Sequence, residues 1–439
     1  MSNKVNSSEE KNLLAIEKIV ERAKGKITPE DAASATGLSI NEVQDALSRL
    51  VELYECRVTM NPEKGSVQFI FPFPFQKRGR KTFKEIATAI LAALWKAFQV
   101  VYKAAIGIIL IVYTVIFIVI LIAVMFGTSR DRDDNPIGDI IGGLLRAIFE
   151  AMFWTSVLQP VQYEVDRSGY KYRTYQKDKN KGKNFIKSVY SFVFGPDRPV
   201  YDYLSDAKEA IAFIRKNNGK ITAGHIIALT GVNYEEAERR LAEYSTKYKG
   251  ELHVVDDEIL VADFTQLLNT TNPPIEGGKI EFYVDEIEPP YQITGNTGGR
   301  NSVIIAMNTF NLIMSFVLYP VASQYFSSGV AFFISVFPLV FSITFFLIPL
   351  ARIPYVLVKE KKRKLNILRK KIFDIIVSAD VPLTAEQIIE YAKINQSDKA
   401  NAMAVLEKLI LDLEGKIDLD ENGKALIHFP RLMKELKVK

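Results

Sequence analysis

The stretch Ala104–Gly127, AAIGIILIVYTVIFIVILIAVMFG, runs for 24 residues without a charge. As a helix it is about 36 Å long, more than the roughly 30 Å hydrocarbon core of a bilayer. A helix that is apolar on every side has no face to offer water. The chain as a whole is 24 % charged, an ordinary value, so charge and apolarity are segregated along it. That segregation predicts a membrane span at Ala104–Gly127.

Two more apolar runs, Ser302–Phe326 and Val330–Val358, are separated only by Ser327-Ser328-Gly329. So short a break predicts an antiparallel membrane hairpin. Arg352 is the one charge in either run and lies near enough to an end to snorkel to the headgroups. Pro320, Pro338, Pro349 and Pro354 each remove a backbone donor, so kinks are expected.

A fourth segment, Pro136–Leu158, is long enough to cross but carries Asp139, Arg146 and Glu150. Spacings of seven and four put these three on one helical stripe, with Arg146 and Glu150 able to pair. They form the candidate intramembrane polar cluster; a structural ion pair is its plainer meaning. The segment either lies in the interface or crosses with the stripe turned inward. Basic flanks decide between the two. Gln76–Lys103, Arg167–Lys187 and Lys359–Lys371 are strongly basic, whereas Thr128–Asn135 and Ser327–Gly329 are not. The positive-inside rule then places all three basic flanks in the cytoplasm, which requires an even number of crossings before Gln159. Four spans are expected; the alternative is three spans plus an interfacial helix. Within the last flank, Lys361, Lys362, Arg363 and Lys364 are expected to face anionic headgroups, the bilayer being the first expected partner.

Outside the membrane the chain repeats itself. Gly25-Lys26-Ile27-Thr28 recurs as Gly219-Lys220-Ile221-Thr222, and the ungapped alignment continues through Thr36-Gly37 with Thr230-Gly231 and Leu47 with Leu241. Each copy reads as a helix, a turn, a second helix capped by Thr28 or Thr222, a glycine turn and a third helix. A diverged third copy, Val381–Pro430, has its capping threonine at Thr384. Two short strands close each copy: Cys56–Met60 and Ser66–Phe71, Leu252–Val255 and Ile259–Phe264, Lys416–Leu419 and Ala425–Phe429.

Three helices followed by a two-stranded wing resemble the winged-helix members of the helix-turn-helix superfamily. The resemblance lies in pattern and spacing over about 60 residues per copy, and it implies small α+β domains. In nucleic-acid-binding members the third helix enters the major groove. The third helices here are acidic or mixed: Glu42, Asp45 and Glu52 accompany Arg49, and four glutamates accompany Arg239, Arg240 and Lys247. In copy three Asp398, Glu407 and Asp412 accompany Lys399 and Lys408. Affinity for the phosphate backbone needs a basic face. Arg49, Arg239, Arg240, Lys399 and Lys408 are therefore candidate contacts to nucleic acid or to a partner, with protein contact favoured.

The fold class expected is multi-domain: a helical transmembrane bundle with three winged-helix domains. These occupy 1–75, 205–265 and 359–439, the last with its leading basic helix. The membrane hairpins occupy 76–158 and 302–358, a basic and aromatic linker 159–204, and a Pro/Gly-rich connector with one strand, Lys279–Val284, 266–301. A short amphipathic helix is expected within Asn184–Leu204, ending at a Gly195-Pro196 turn.

Chemistry is sparse. Cys56 is the lone cysteine, and His225, His253 and His428 have no ligand spacing. No HExxH, GxSxG or Walker pattern is present. No enzyme activity, cofactor or metal is expected. The polar start MSNKVNSSEEKN is unlike a cleavable signal, and an integral protein of a bacterial inner (cytoplasmic) membrane with cytoplasmic domains is the expected setting. Its expected role is a scaffold or regulatory anchor that binds an unidentified protein or a second copy of itself. A membrane-tethered DNA-binding regulator and a small transporter using Asp139, Arg146 and Glu150 are the alternatives.

Overall fold

The computed structural model describes residues 2–60, 67–72, 83–128, 185–196, 204–255, 259–271, 273–379, 381–419, 421 and 423–438. Among these residues the structure is mostly helical, with three helices long and apolar enough to cross a membrane and three small antiparallel sheets. Pro136–Leu158, with Asp139, Arg146 and Glu150, and the basic linker Arg167–Lys183 lie outside the described residues.

The first unit comprises α1 (Ser2–Arg22), β1 (Lys26–Ile27), α2 (Pro29–Thr36), α3 (Ile40–Leu53), β2 (Arg57–Met60) and β3 (Val67–Ile70), with strand order β1-β3-β2. α4 (Phe83–Thr128) and α5 (Phe185–Phe194) follow it. The second unit repeats the order: α6 (Ser205–Lys216), β4 (Lys220–Thr222), α7 (Ala223–Thr230), α8 (Tyr234–Tyr248), β5 (Glu251–Val255) and β6 (Ile259–Asp263), with strand order β4-β6-β5. Next come α9 (Gly298–Tyr325) and α10 (Ser328–Ser378), the latter containing a π-helical stretch, Phe332–Val336. The C-terminal end of α10 serves as the first helix of the third unit. That unit continues with α11 (Ala385–Tyr391), α12 (Lys399–Asp412), β7 (Lys416–Leu419), β8 (Ala425–His428) and α13 (Pro430–Leu436).

The threonines are caps in all three copies. Thr28, Thr222 and Thr384 accept the backbone N–H of Asp31, His225 and Gln387 at 3.1, 3.3 and 3.2 Å; such a cap contributes about 1 kcal/mol. The repeated tetrapeptide is not only a turn and a cap but also forms a short strand. Gly25 and Gly219 lie at φ +84° and +88°, a conformation side chains rarely adopt, and their carbonyls accept the N–H of Phe71 and Phe264. Lys26–Ile27 and Lys220–Thr222 then pair with the last strand of their units. In the third unit Val381-Pro382-Leu383-Thr384 occupies the place of Gly-Lys-Ile-Thr. A β-branched residue does not favour positive φ, and Pro382 has no N–H. The inner strand is accordingly reduced to the single bridge Leu383–Ile427.

The units share one core. Ile16, Leu47, Ile211, Leu241, Phe373, Leu406 and their neighbours form a continuous buried cluster that runs through all three. The connector does not contain the expected strand. Ile280, Phe282 and Val284 pack on the core cluster, buried Tyr283 begins a 3-10 turn, and the chain crosses side chains rather than a sheet edge. Gly277 and Gly278 run so close to Ala35 and Lys208 that an added Cβ would lie 2.3–2.4 Å from their backbones.

Leu110, Ile118, Ile304, Met307 and Phe345 form a second core, in which α4, α9 and α10 pack around α5. The expected amphipathic helix is α5, and Gly195, at φ +87°, is its turn. Its surroundings orient the bundle. Lys103 of α4 lies over the Tyr190 ring, Arg300 at the start of α9 donates to Ser188 Oγ (3.1 Å), and Arg352 of α10 donates to Val193 O (3.3 Å). The basic ends of the three long helices therefore gather at one end of the bundle. Amide and hydroxyl bonds join the helices deeper in: Asn311 to Leu110 O (3.1 Å), Thr114 to Asn311 (3.1 Å) and Asn308 to Ser342 O (3.0 Å). The π-helical turn also has a local cause. Pro338 lacks an N–H and Phe337 N bonds Phe332 O, so the Phe333 carbonyl is left for the Tyr113 hydroxyl at 2.9 Å.

Candidate functional site

Two of the junctions between units centre on the N-termini of the second helices, the positions that the repeated tetrapeptide introduces. Helix starts expose unpaired N–H groups, so an acceptor side chain at the third helical position is well placed. That position holds Asp31 in α2, His225 in α7 and Gln387 in α11.

In the first unit Asp31 is fully buried and accepts from Thr271 N and Thr271 Oγ1, both at 2.7 Å, and from Ile275 N at 3.3 Å. Arg215 of α6 completes the group, its Nη2 being 3.2 Å from Asp31 Oδ1. Arg215 also donates to Leu267 O and Ile275 O (2.9 and 3.1 Å). One carboxylate thus ties the first unit to the second and to the connector. Burial lowers the Arg215 pKa, against the opposing pull of Asp31 and Glu276, and raises that of Glu30 beside it. Tyr248 of α8 adds a bond to Gly37 O at 2.9 Å.

In the second unit His225 Nδ1 accepts the Thr222 N–H (3.2 Å), and its ring lies 5.0 Å from that of Phe213. The Leu436 backbone provides the other ring nitrogen with its hydrogen bond, and burial holds the imidazole neutral, with its pKa lowered to about 4. Glu435 of α13 accepts the Gly224 N–H, and Thr222 Oγ1 donates to Glu435 O at 3.2 Å. Arg431 stands over the Tyr234 ring at 4.1 Å and pairs with Glu414, Glu435 and Glu238. α13, unforeseen in the sequence, is therefore the latch between the second and third units.

The third junction uses the basic flank of α10. Arg369 pairs with Asp412 at 2.6 Å and donates to Gly231 O at 3.0 Å. Lys370 lies over the Tyr283 ring and pairs with Glu286 and Glu288. Arg363 bonds Glu360 and Glu288 O. The basic run is therefore divided: Lys361, Lys362 and Lys364 are exposed, while Arg363, Arg369 and Lys370 are internal ties.

The third-helix cations expected to contact a partner are mostly paired within the chain. Arg49 meets Glu9 at 2.6 Å. Arg239 is bidentate to Glu236 at 2.8 and 2.7 Å, and Arg240 bridges Glu236 and Asp206 at 2.9 and 3.0 Å. These two arginines hold the Glu236 carboxyl down at about 2. Lys399 and Lys408 are exposed on α12. Among the described residues no group of three or more His, Cys, Asp or Glu side chains could hold a metal ion. A cavity of about 200 Å³ lies where the third unit lacks the Gly-Lys turn, lined by Ile376, Val381, Leu383, Ile427, Phe429 and Met433 among others.

No family model matches the chain, and no solved structure matches it. It is similar to a protein of Arabidopsis thaliana described as uncharacterized and chloroplastic, with 22 % identity over 349 residues. The alignment covers 74 % of this chain and 65 % of the plant protein, so the chain spans about two-thirds of its relative's length.

Proposed function

We propose that the chain is an integral membrane scaffold or regulatory anchor that holds three winged-helix protein-contact modules against one face of a membrane. The observation that carries this reading is the use of the third-helix arginines. Arg49, Arg239 and Arg240 meet carboxylates of their own units, which leaves these third helices, among the described residues, without an arginine-rich face for a phosphate backbone. The winged-helix reading is supported by the element order and by the inner, last and outer strand arrangement, β1-β3-β2 and β4-β6-β5. The absence of catalytic constellations in the sequence leads us to a non-enzymatic role.

The four-span topology belongs to this proposal. α4 leaves the basic end of the bundle and α5 sits at that same end, which supports the expected even number of crossings before α5. Between the two, Pro136–Leu158 is the sequence segment long enough to cross. The expected setting is a bacterial cytoplasmic membrane, and the plant relative's chloroplastic description makes a plastid membrane the setting to compare. The full chain in detergent should bind duplex DNA no better than its net charge of +5 dictates. DNA binding that is tight at low salt and falls steeply as salt rises would overturn the scaffold in favour of a tethered regulator. In a Cys56→Ser background, a cysteine replacing Ser129 should label from outside and one replacing Lys181 should not.

A further inference from the structure

Each unit ends in a hairpin whose outer strand, β2, β5 or β7, pairs on one side only among the described residues. Backbone groups on such an edge are a template for another strand. In β7 their direction follows from two bonds. Leu383 and Ile427 exchange both backbone hydrogen bonds, at 3.1 and 2.8 Å, so Ile427 turns its N–H and C=O away from β7. Its cross-strand partner Ile417 therefore turns its own N–H and C=O toward the open edge. All four side chains of β7 are exposed, Ile417 at 56 % and Leu419 at 73 %.

The sequence of this edge is self-complementary. Two copies of Lys416-Ile417-Asp418 laid antiparallel about Ile417 set Ile417 opposite its own counterpart, with two N–H···O=C bonds exchanged. Lys416 then stands opposite the second copy's Asp418, twice, at non-hydrogen-bonded positions where side chains are closest. The other edges lack this property. On β5 the residues that turn their N–H and C=O outward are Leu252 and Val254, so a two-fold pair sets Glu251 or Val255 opposite His253 and no lysine opposite a carboxylate, and β2 carries only Arg57. Within its own sheet Asp418 is 3.5 Å from His428 Nδ1, yet its side chain is 70 % exposed.

We propose that β7 is a homotypic docking edge: two copies of the chain join their third units about a two-fold axis through Lys416–Leu419, forming one four-stranded antiparallel sheet. This rests on the reading of the units as protein-contact modules and names the partner as a second copy.

The test uses the full chain, Cys56→Ser, in lipid vesicles at low protein density. Across the two-fold axis the 417 Cα atoms stand about 5.5 Å apart, within disulfide range. Ile417→Cys should therefore cross-link on oxidation. Leu419→Cys should not, because its counterpart lies roughly 13 Å along the strand. Lys416→Asp and Asp418→Lys, each in the Ile417→Cys background, should weaken dimerisation about tenfold by setting like charges opposite. The combined exchange Lys416→Asp/Asp418→Lys should restore it, which separates lost pairing from lost folding. Absent cross-linking at 417, equal cross-linking at 419, or single reversals without effect would each overturn the proposal. Failure here without DNA binding refutes the edge alone, whereas salt-sensitive DNA binding refutes the module reading whatever the cross-linking shows.

Discussion

Acidification should loosen the latch between the second and third units, and His225 should be the cause. Its Nδ1 accepts the Thr222 N–H at 3.2 Å. A proton on that nitrogen would set two donors against each other inside a buried capping box. Burial places the folded-state pKa at about 4, against 6.5 for a free imidazole. Because the folded value is depressed, the full stability contribution is present above pH 6.5. It is lost progressively as pH falls through 6.5 towards 4. Two and a half units correspond to about 3 kcal/mol, at 1.36 kcal/mol per unit. The groups facing the ring are the Phe213 side chain, Thr222 and the Leu436 backbone, none of which titrates in that window. The assay is hydrogen exchange of the Gly224 and α13 amides in the full chain in detergent, followed from pH 7.5 to 4.5 and corrected for intrinsic exchange. His225→Gln is the control, since Gln387 already caps α11 from the same position through Thr384 N at 2.8 Å. The wild-type chain should lose protection as pH falls while the variant holds its own. If both lost protection in parallel, carboxylates would be responsible, first Glu435, which accepts the Gly224 N–H and whose pKa burial raises, and the argument from His225 would be wrong.

Other perturbations have equally local causes. Asp31→Ala leaves Arg215 buried without its carboxylate and should cost about 3–5 kcal/mol, read as lost exchange protection at Thr271 and Ile275. The double variant Asp31→Ala/Arg215→Met should cost less than the sum of the singles, and strict additivity would refute the coupling. Gly250→Ala should cost about 1–3 kcal/mol of stability, read as a lower melting midpoint, since its Cβ would fall 2.4 Å from the buried Phe264 ring; an unchanged midpoint would mean that the ring yields freely. Asn311→Leu removes the α4–α9 amide bond and should cost about 0.6–2 kcal/mol in detergent unfolding, with no change in DNA or partner binding.

Much of the fold could be read from the chain because its determinants are local. Length without charge identified Ala104–Gly127, and the capping threonines marked the start of the second helix in all three units, glycine turns closing it in the first two. What escaped was decided at a distance. The strand Lys26–Ile27 exists because Phe71, more than forty residues later, donates to the Gly25 carbonyl. Alternation predicted a strand at Lys279–Val284, but alternate residues there pack on the core while no sheet edge is at hand. α13 carried too few residues to stand out, and its role depends on Glu435 meeting Gly224, 211 positions away. Arg239 and Arg240 were legible as surface ion pairs from their i,i+3 and i,i+4 glutamates, whereas Arg49 pairs with distant Glu9, and Arg369 and Lys370, grouped with the lipid-facing run, needed Asp412 and the connector's Glu286 and Glu288 to be understood.

The same position, third in the second helix, explains why one repeated module can serve in three different places. The threonine cap satisfies the helix start in every copy, with His225 and Gln387 reciprocating and Asp31 not, so the local fold leaves the identity of this position partly open. Gln387 does only that local work. Asp31 has lone pairs to spare, which accept the connector's Thr271 and Ile275 and draw in Arg215. His225 has a second nitrogen, which reaches the chain's final helix. Adding chemistry at that position therefore turns a cap into a joint without altering the module's topology. It follows that exchanging Asp31 for Gln should leave the first unit folded while detaching the connector from it. The readout is limited proteolysis near Thr271: cleavage with an intact first unit supports the argument, and unfolding of that unit as a whole would show that cap and joint cannot be separated.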